Sequence, residues 1–293
     1  MEQIFESSFL GIDPAAAPSY EGCRVVLIPV PYEGTVSYGV GTRHGPRALF
    51  AASSQVELWD LELGREPWTV GIHTLPALAP HVDGPERMCD AIEATCRPVF
   101  TDGKLAFTIG GEHSVTVGAG RAAARSCGGP LTFLVVDAHL DLRDSYEGSR
   151  FSHACASRRL LELGRVVHVG VRTACPEELE AIADHGLQPI WAHEIQRPPG
   201  GADWIARAVD QLEGDVYVSV DVDGLDPAVM PGTGTPVPGG LTWYQLLELL
   251  RAVGQRGRVI GCDLCELAPI AGQTASEFAA ALLAYKMIGY FAV

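Results

Sequence analysis

Residues 131–141 read LTFLVVDAHLD, and the change of character at Val136–Asp137 decides how the rest of the chain is read. LTFLVV is apolar almost throughout, which suits a strand covered on both faces of a parallel sheet. It runs straight into Asp137, His139 and Asp141. Side chains two residues apart on an extended backbone point the same way, so these three are expected on one face as the chain leaves the strand. A second stretch repeats the arrangement: VYVSV runs into Asp221 and Asp223. A third, LAFTI, runs into Gly110-Gly111-Glu112-His113-Ser114, where two glycines permit a tight turn and Ser114 is placed to cap the helix that follows.

Working outward, CRVVLIPV, VVHVGVRT, LQPIWA and RVIGCDLCEL read as further strands. The segments ERMCDAIEATCRPVF, ACASRRLLELG, PEELEAIADHG, ADWIARAVDQLEG, TWYQLLELLRAVG and the C-terminal FAAALLAYKMIGYFAV repeat their apolar residues at helical spacing. Alternation of this kind predicts a three-layer α/β/α fold with a mainly parallel central sheet. The 293 residues show no repeat or linker-like shift in composition, so a single domain over 1–293 is expected. In such sheets ligands bind beyond the carboxyl ends of the strands, where these polar clusters lie.

Four aspartates at one end of a buried sheet repel one another, and desolvation adds to the cost of their charge. Bound cations resolve the conflict. The set offers carboxylate oxygen with some imidazole and no thiolate, which favours a hard or borderline divalent ion such as manganese over a thiolate zinc site. DAHLD alone would read as a capped strand end with a satisfied core histidine. Two such clusters, each directly after an apolar strand, argue for metal, with His113 a sixth ligand.

Composition narrows the remaining classes. Twenty-one Lys and Arg against 36 Asp and Glu give a net charge of −15, which lacks the electrostatic footprint of a nucleic-acid binder and mildly favours a small cationic ligand. The start, MEQIFESSFLGIDPAAAP, has no basic residue before its short apolar patch, and the apolar C-terminal run is interrupted by Lys286. Neither a signal peptide nor a membrane span is expected, and a cytoplasmic location is. The eight cysteines are scattered, so reduced thiols are the default. Cys262-x-x-Cys265 lies inside a strand-like run with no second CxxC, and packing is preferred over redox or metal work.

GGEHS, DAHLD and SVDVDGLDPAVMPGTGTPVPGG together resemble the signature motifs of the ureohydrolase family, the arginases, agmatinases and their relatives. PYEGTVSYGVGTRHGP near the start and GCDLCELAP near the end extend the resemblance over nearly the whole chain. It implies a parallel eight-stranded sheet and a two-manganese centre. One ion would be held by His113, Asp137, Asp141 and Asp221, the other by Asp137, His139, Asp221 and Asp223. Glu112 departs from the family's usual Asp, and an adjustment around the ligands is expected, not a lost metal. By motif, Glu266 would bind the guanidinium, His153 in FSHA would shuttle a proton, and Thr235 in GTGTP would sit beside the attacking solvent. Two metals lower the pKa of water between them, a carboxylate orients the planar cation, and an imidazole protonates the departing amine.

The leading substrate is agmatine, hydrolysed to putrescine and urea. The alternative is arginine, guanidinobutyrate or another guanidino or formimino compound; a metal-binding protein without hydrolytic activity is the reading from another class. In LRDSYEGSRFS, Asp144 or Glu147 would pair with a distal ammonium, whereas Arg143 or Arg150 would hold a carboxylate, and solvated loop charges explain all four equally well. The start motif resembles the prokaryotic agmatinase branch. By resemblance alone, a homo-oligomer, trimer or hexamer, is expected.

Overall fold

A computed structural model describes residues 8–13, 18–197 and 203–292. Residues 1–7 and 14–17, on which part of the reading of the start rests, lie outside it, as does Ala202 in the segment expected to form a helix.

Eight strands form one sheet: β1 (Val25–Val30), β2 (Ile72–Thr74), β3 (Leu105–Gly110), β4 (Leu131–Val136), β5 (Arg165–Val171), β6 (Ile190–Trp191), β7 (Asp215–Asp221) and β8 (Val259–Cys265). Their order is β2-β1-β3-β8-β7-β4-β5-β6 and every pairing is parallel. Nine α-helices lie among the described residues: α1 (Gly45–Ser53), α2 (Pro85–Thr101), α3 (Val115–Ser126), α4 (Ala156–Leu160), α5 (Pro176–His185), α6 (Ala192–Ile195), α7 (Trp204–Val209), α8 (Trp243–Arg256) and α9 (Ala275–Phe291).

The apolar runs explain the layering. Along β1, Val25 and Leu27 pack to one side with α1, α8 and α9, while Val26, Ile28 and Val30 pack to the other with α2 and α3. A strand with water on neither face has no use for alternation, hence the continuous apolar reading. The expected three layers and parallel sheet are present. No described helix is long and apolar enough to cross a membrane. The C-terminal run forms α9, largely buried, with Lys286 turned aside to pair with Asp60 and Glu62 at 2.9 Å each.

Some elements differ from expectation. β2 and α1 were not anticipated: β2 is a three-residue edge whose only warrant is its pairing with β1, and α1 opens on Gly45-Pro46 inside the start motif. ACASRRLLELG was expected as one helix but divides into a 3-10 turn, His153–Cys155, and the short α4. Cys262 and Cys265 lie in β8, three residues apart and therefore on opposite faces, one in each core cluster. Both thiols are free and pushed well up by burial, so they pack and do not react.

Connection direction matters for the site. From β4 the chain crosses to β5 on one side, and from β7 it crosses to β8 on the other. β4 and β7 are neighbours, so their carboxyl ends flank a topological switch point, where a crevice opens in sheets of this type.

Candidate active site

The chain reaches that crevice by abrupt stops. β4 ends at Val136, and residues 137–141 are not extended: Asp141 adopts a left-handed conformation at φ 52°. The expected single face is replaced by a turn that brings the same side chains together. β7 ends on Asp221, whose carboxylate accepts the backbone N–H of Asp223 at 2.8 Å and starts a one-turn 3-10 helix, Val222–Gly224.

His113, from the turn after β3, lies at the middle. Its Nδ1 is 3.1 Å from Asp137 Oδ2, 3.2 Å from Asp141 Oδ2 and 3.4 Å from Asp221 Oδ2. A second cluster shares Asp137 through its other oxygen: His139 Nδ1 is 3.3 Å from Asp137 Oδ1 and 3.1 Å from Asp223 Oδ2. The groups His113–Asp137–Asp141 and Asp137–His139–Asp223 could each hold a metal ion. All six expected ligands therefore converge, with Asp137 common to both clusters and Asp221 approaching the first.

Hydrogen bonding tests whether a cation fits. His113 Nε2 lies 2.8 Å from Ser219 Oγ, and that hydroxyl donates to Asp263 Oδ1 at 2.6 Å. The serine proton being committed, Nε2–H donates to Oγ and Nδ1 keeps its lone pair toward the carboxylates. His113 Nδ1 and Asp137 Oδ2 are both buried without a hydrogen-bond partner although 3.1 Å apart. Lone pairs facing one another in a dry site require a cation between them. The residues fit one.

In the metal-free chain, protons take that place. Burial alone pushes His113 down, but Asp137, Asp141 and Asp221 outweigh it and its pKa lies well above the usual range. His139, likewise opposed by burial, is pushed up to about 12 by Asp137 and Asp223. Burial, reinforced by neighbouring aspartates, raises Asp141 and, more strongly, Asp221.

Glu266 follows β8 in a left-handed conformation, φ 66°, held by its N–H donating to Gly111 O at 2.7 Å. Such backbone in a non-glycine residue persists only where its surroundings over-determine it, a common feature of functional sites. Its Oε1 accepts the His113 N–H at 2.7 Å and lies 3.8 Å from His153 Nδ1. Burial, then the charge of Glu112, lifts the Glu266 carboxyl well above the usual range. Thr235 donates to Asp223 Oδ2 at 3.2 Å. A cavity of about 170 Å³ opens onto His139, His153, Thr235, Arg143, Tyr146 and Cys175. The three residues expected for chemistry thus lie around the Asp/His clusters.

Other expectations change. Ser114 caps nothing: its hydroxyl donates to Glu112. The glycines of GGEHS serve close approach by protein, since a Cβ on Gly111 would meet Tyr32 O at 2.0 Å. Asp144 pairs with Arg159 at 2.7 Å and with Arg150 at 3.2 Å, and Arg150 also meets Glu162. Both are partnered, but by solvent-exposed ion pairs. Arg143 lies over the Tyr146 ring, 5.0 Å from its centre, and Glu147 is exposed.

Four residues were missed. Ser219 and Asp263 orient His113, and Tyr217 completes the set by donating to Asp263 Oδ2 at 2.8 Å. The signal was available as lone polar residues in the apolar runs VYVSV and GCDLC. Arg172 donates to the carbonyl of Asp223 at 2.6 Å and to Val237 O, fixing the turn that carries Asp223. Nothing in VGVRT announces that role.

Known proteins provide an independent comparison. Residues 23–289 match the model of the arginase family. An N(1)-aminopropylagmatine ureohydrolase of Synechocystis sp. is 43% identical over 287 residues, covering 96% of this chain and 93% of that protein. An agmatinase of Pyrococcus horikoshii is 34% identical, with 90% of each chain covered. The crystal structure of an agmatine ureohydrolase of Thermoplasma volcanium superposes with a TM-score of 0.85 at 31% identity, over 94% of this chain and 92% of that one.

Proposed function

The chain belongs to the arginase family, and we propose that it is a dimanganese ureohydrolase whose substrate is a guanidinium carried on a polyamine chain, N(1)-aminopropylagmatine first and agmatine second. The observation that carries the reading is the pair of Asp/His clusters sharing Asp137, with Glu266 and His153 beside them.

Bound divalent ions would be held by His113, Asp137, Asp141 and Asp221 on one side and by Asp137, His139, Asp221 and Asp223 on the other, and would supply an activated water at neutral pH. The protein does the rest. Glu266 faces the planar cation and orients its carbon by paired, charge-assisted hydrogen bonds. Water adds to that carbon, the bond to the alkyl nitrogen breaks, and His153 gives the departing amine a proton, leaving urea. Thr235 steadies Asp223 by a hydrogen bond. The acidic surface draws a polycation inward.

The choice of a carboxylate-free substrate rests on the relatives. At the entrance Arg150 is paired with exposed Asp144 and Glu162, while Arg143 stacks on Tyr146 and lines the cavity. The 43% identical relative favours the aminopropylated compound and the Pyrococcus agmatinase the simpler one. A cytoplasmic location and a homo-oligomer belong to the same reading, and light scattering of the purified protein tests the latter.

Urea release from manganese-loaded protein with N(1)-aminopropylagmatine, agmatine, arginine and guanidinobutyrate tests it. Turnover of the first above agmatine is expected, in keeping with the 43% identical relative. Preference for arginine or guanidinobutyrate overturns the substrate assignment, and no turnover with metal bound overturns the activity. Glu266→Gln should keep its manganese and lose about a hundredfold in kcat/KM, the scale of a charge-assisted pair.

A further inference from the structure

The start motif PYEGT has no part in the chemistry above, and neither does the Glu of GGEHS. The structure ties them together. The loop after β1 is zipped to the loop after β3: Gly111 N donates to Val30 O at 2.8 Å and Glu112 N to Tyr32 O at 2.9 Å. The Glu112 carboxylate, fully buried, then reaches back across this seam. One oxygen accepts the backbone N–H groups of Gly34 and Thr35 at 2.6 Å each. The other accepts the hydroxyls of Thr35 at 2.7 Å and Ser114 at 2.5 Å. Four donors fill the acceptor sites of one carboxylate.

Thr35 is the junction. Its only hydroxyl proton is given to Glu112, so its lone pairs face outward, and one accepts the backbone N–H of His153 at 2.9 Å. No other acceptor for that N–H is found among the described residues. The His153 side chain has little else to fix it. Its Nε2 is buried without a partner, its Nδ1 is 3.8 Å from Glu266, and its ring meets Tyr146 edge-on at 6.5 Å between centres. The residue follows loop 142–152, whose middle is exposed and whose ends, Leu142 and Ser152, are buried, so packing holds the backbone on either side while the His153 N–H itself is held by Thr35.

We infer that Thr35, seated by Glu112, is a positioning residue that sets where His153 stands relative to the departing amine. The inference rests on the proposed hydrolysis for its catalytic consequence, and on hydrogen bonds alone for its structural one. The length of the Glu112 side chain carries its carboxylate to the Gly34 and Thr35 amides. A misplaced proton donor slows bond cleavage without altering the grip on the cation, which belongs to Glu266.

Thr35→Val keeps the shape of the side chain and removes both the donor and the acceptor; Thr35→Ser restores both. With manganese-loaded protein and the best guanidino substrate, the valine variant should lose roughly tenfold to a hundredfold in kcat with KM within about twofold, and serine should recover kcat to within about threefold. Manganese content and the thermal transition should match the parent; Thr35→Ala replaces valine if that transition is lost. Amide hydrogen exchange at His153 should accelerate in the valine variant and not in the serine one. Unchanged kcat and exchange in the valine variant, or equal loss in the serine variant, overturns the inference. Should the parent release urea from no guanidino compound, the functional reading falls by itself. The exchange comparison then decides the positioning: selective acceleration upholds it and unchanged exchange removes it.

Discussion

Asp141 and Asp144 stand three residues apart and have opposite fates. Asp141 is buried, left-handed, and 3.2 Å from an imidazole nitrogen that has no hydrogen-bond partner. Asp144 is more than half exposed and closes an ion pair with Arg159 and Arg150. One carboxylate sits among groups that lack a partner until a cation arrives; the other sits among groups that already satisfy each other. Charge type does not separate ligand from ornament here. What separates them is whether the surrounding lone pairs remain unanswered.

The sharpest way to break the contrast is to remove charge from the inner cluster. Asp137→Asn should abolish stoichiometric manganese and lower turnover by roughly a thousandfold or more, since the shared position supports both clusters. Elemental analysis of the purified variant checks it. Full metal content would show that Asp137 is no more a ligand than Asp144.

Protons offer a second test. His113 and His139 are raised by neighbouring carboxylates, His139 to about 12, so both are protonated near neutrality in the metal-free chain. A metal needs their lone pairs and must displace those protons. Affinity should therefore rise with pH across the neutral range, by up to about tenfold per unit for each proton released. Burial-raised Asp141 and Asp221 carry the same sign, because their folded pKa values also lie above the unfolded ones. Calorimetry in buffers of different ionisation enthalpy reads the proton count. Binding without proton release, or weakening as pH rises, would contradict the electrostatics of the cluster.

The inner cluster was legible because its signal is local. An apolar run that ends on alternating acids and a histidine states both the strand and the site, as DAHLD and DVD do. Glu266 and His153 needed the resemblance, since a lone Glu after a strand and a lone His before a helix say little in isolation. The entrance loop was not legible, and the reason is physical. The partners that neutralise Asp144 and Arg150 are Arg159 and Glu162, on and just after α4, and only the folded path of the chain brings them together. β2 escaped notice for a similar reason: its edge position is fixed by pairing with β1, not by its own three residues.

Between the two regions stands Ser219, polar yet no ligand, which fixes the face that His113 turns to the cluster. Ser219→Ala removes the acceptor for Nε2–H and one donor to the buried Asp263. Manganese affinity should fall roughly tenfold to a hundredfold, the usual effect of losing a group that orients a metal-bound histidine. Metal titration followed by competition with a chelator measures it. An unchanged affinity would mean that the carboxylates alone orient the ring.

The smallest effect is expected at the outer edge. Arg150 is 57% exposed on its side chain, and both its partners, Asp144 and Glu162, are also more than half exposed. Such pairs contribute about 0.5 kcal/mol or less once solvent screening and side-chain entropy are counted. Losing Arg150 leaves Asp144 still paired with Arg159, so no buried charge is stranded. Arg150→Ala should therefore shift stability by no more than about 0.5 kcal/mol and leave the ranking of guanidino substrates unchanged. The informative measurement is the ratio of kcat/KM for guanidinobutyrate to that for agmatine. If Arg150 holds a substrate carboxylate, that ratio falls on substitution, because a charge-assisted contact made by one compound and not the other is lost. If the loop pairs only with itself, the ratio stays where it was, and selection must come from groups deeper in the crevice.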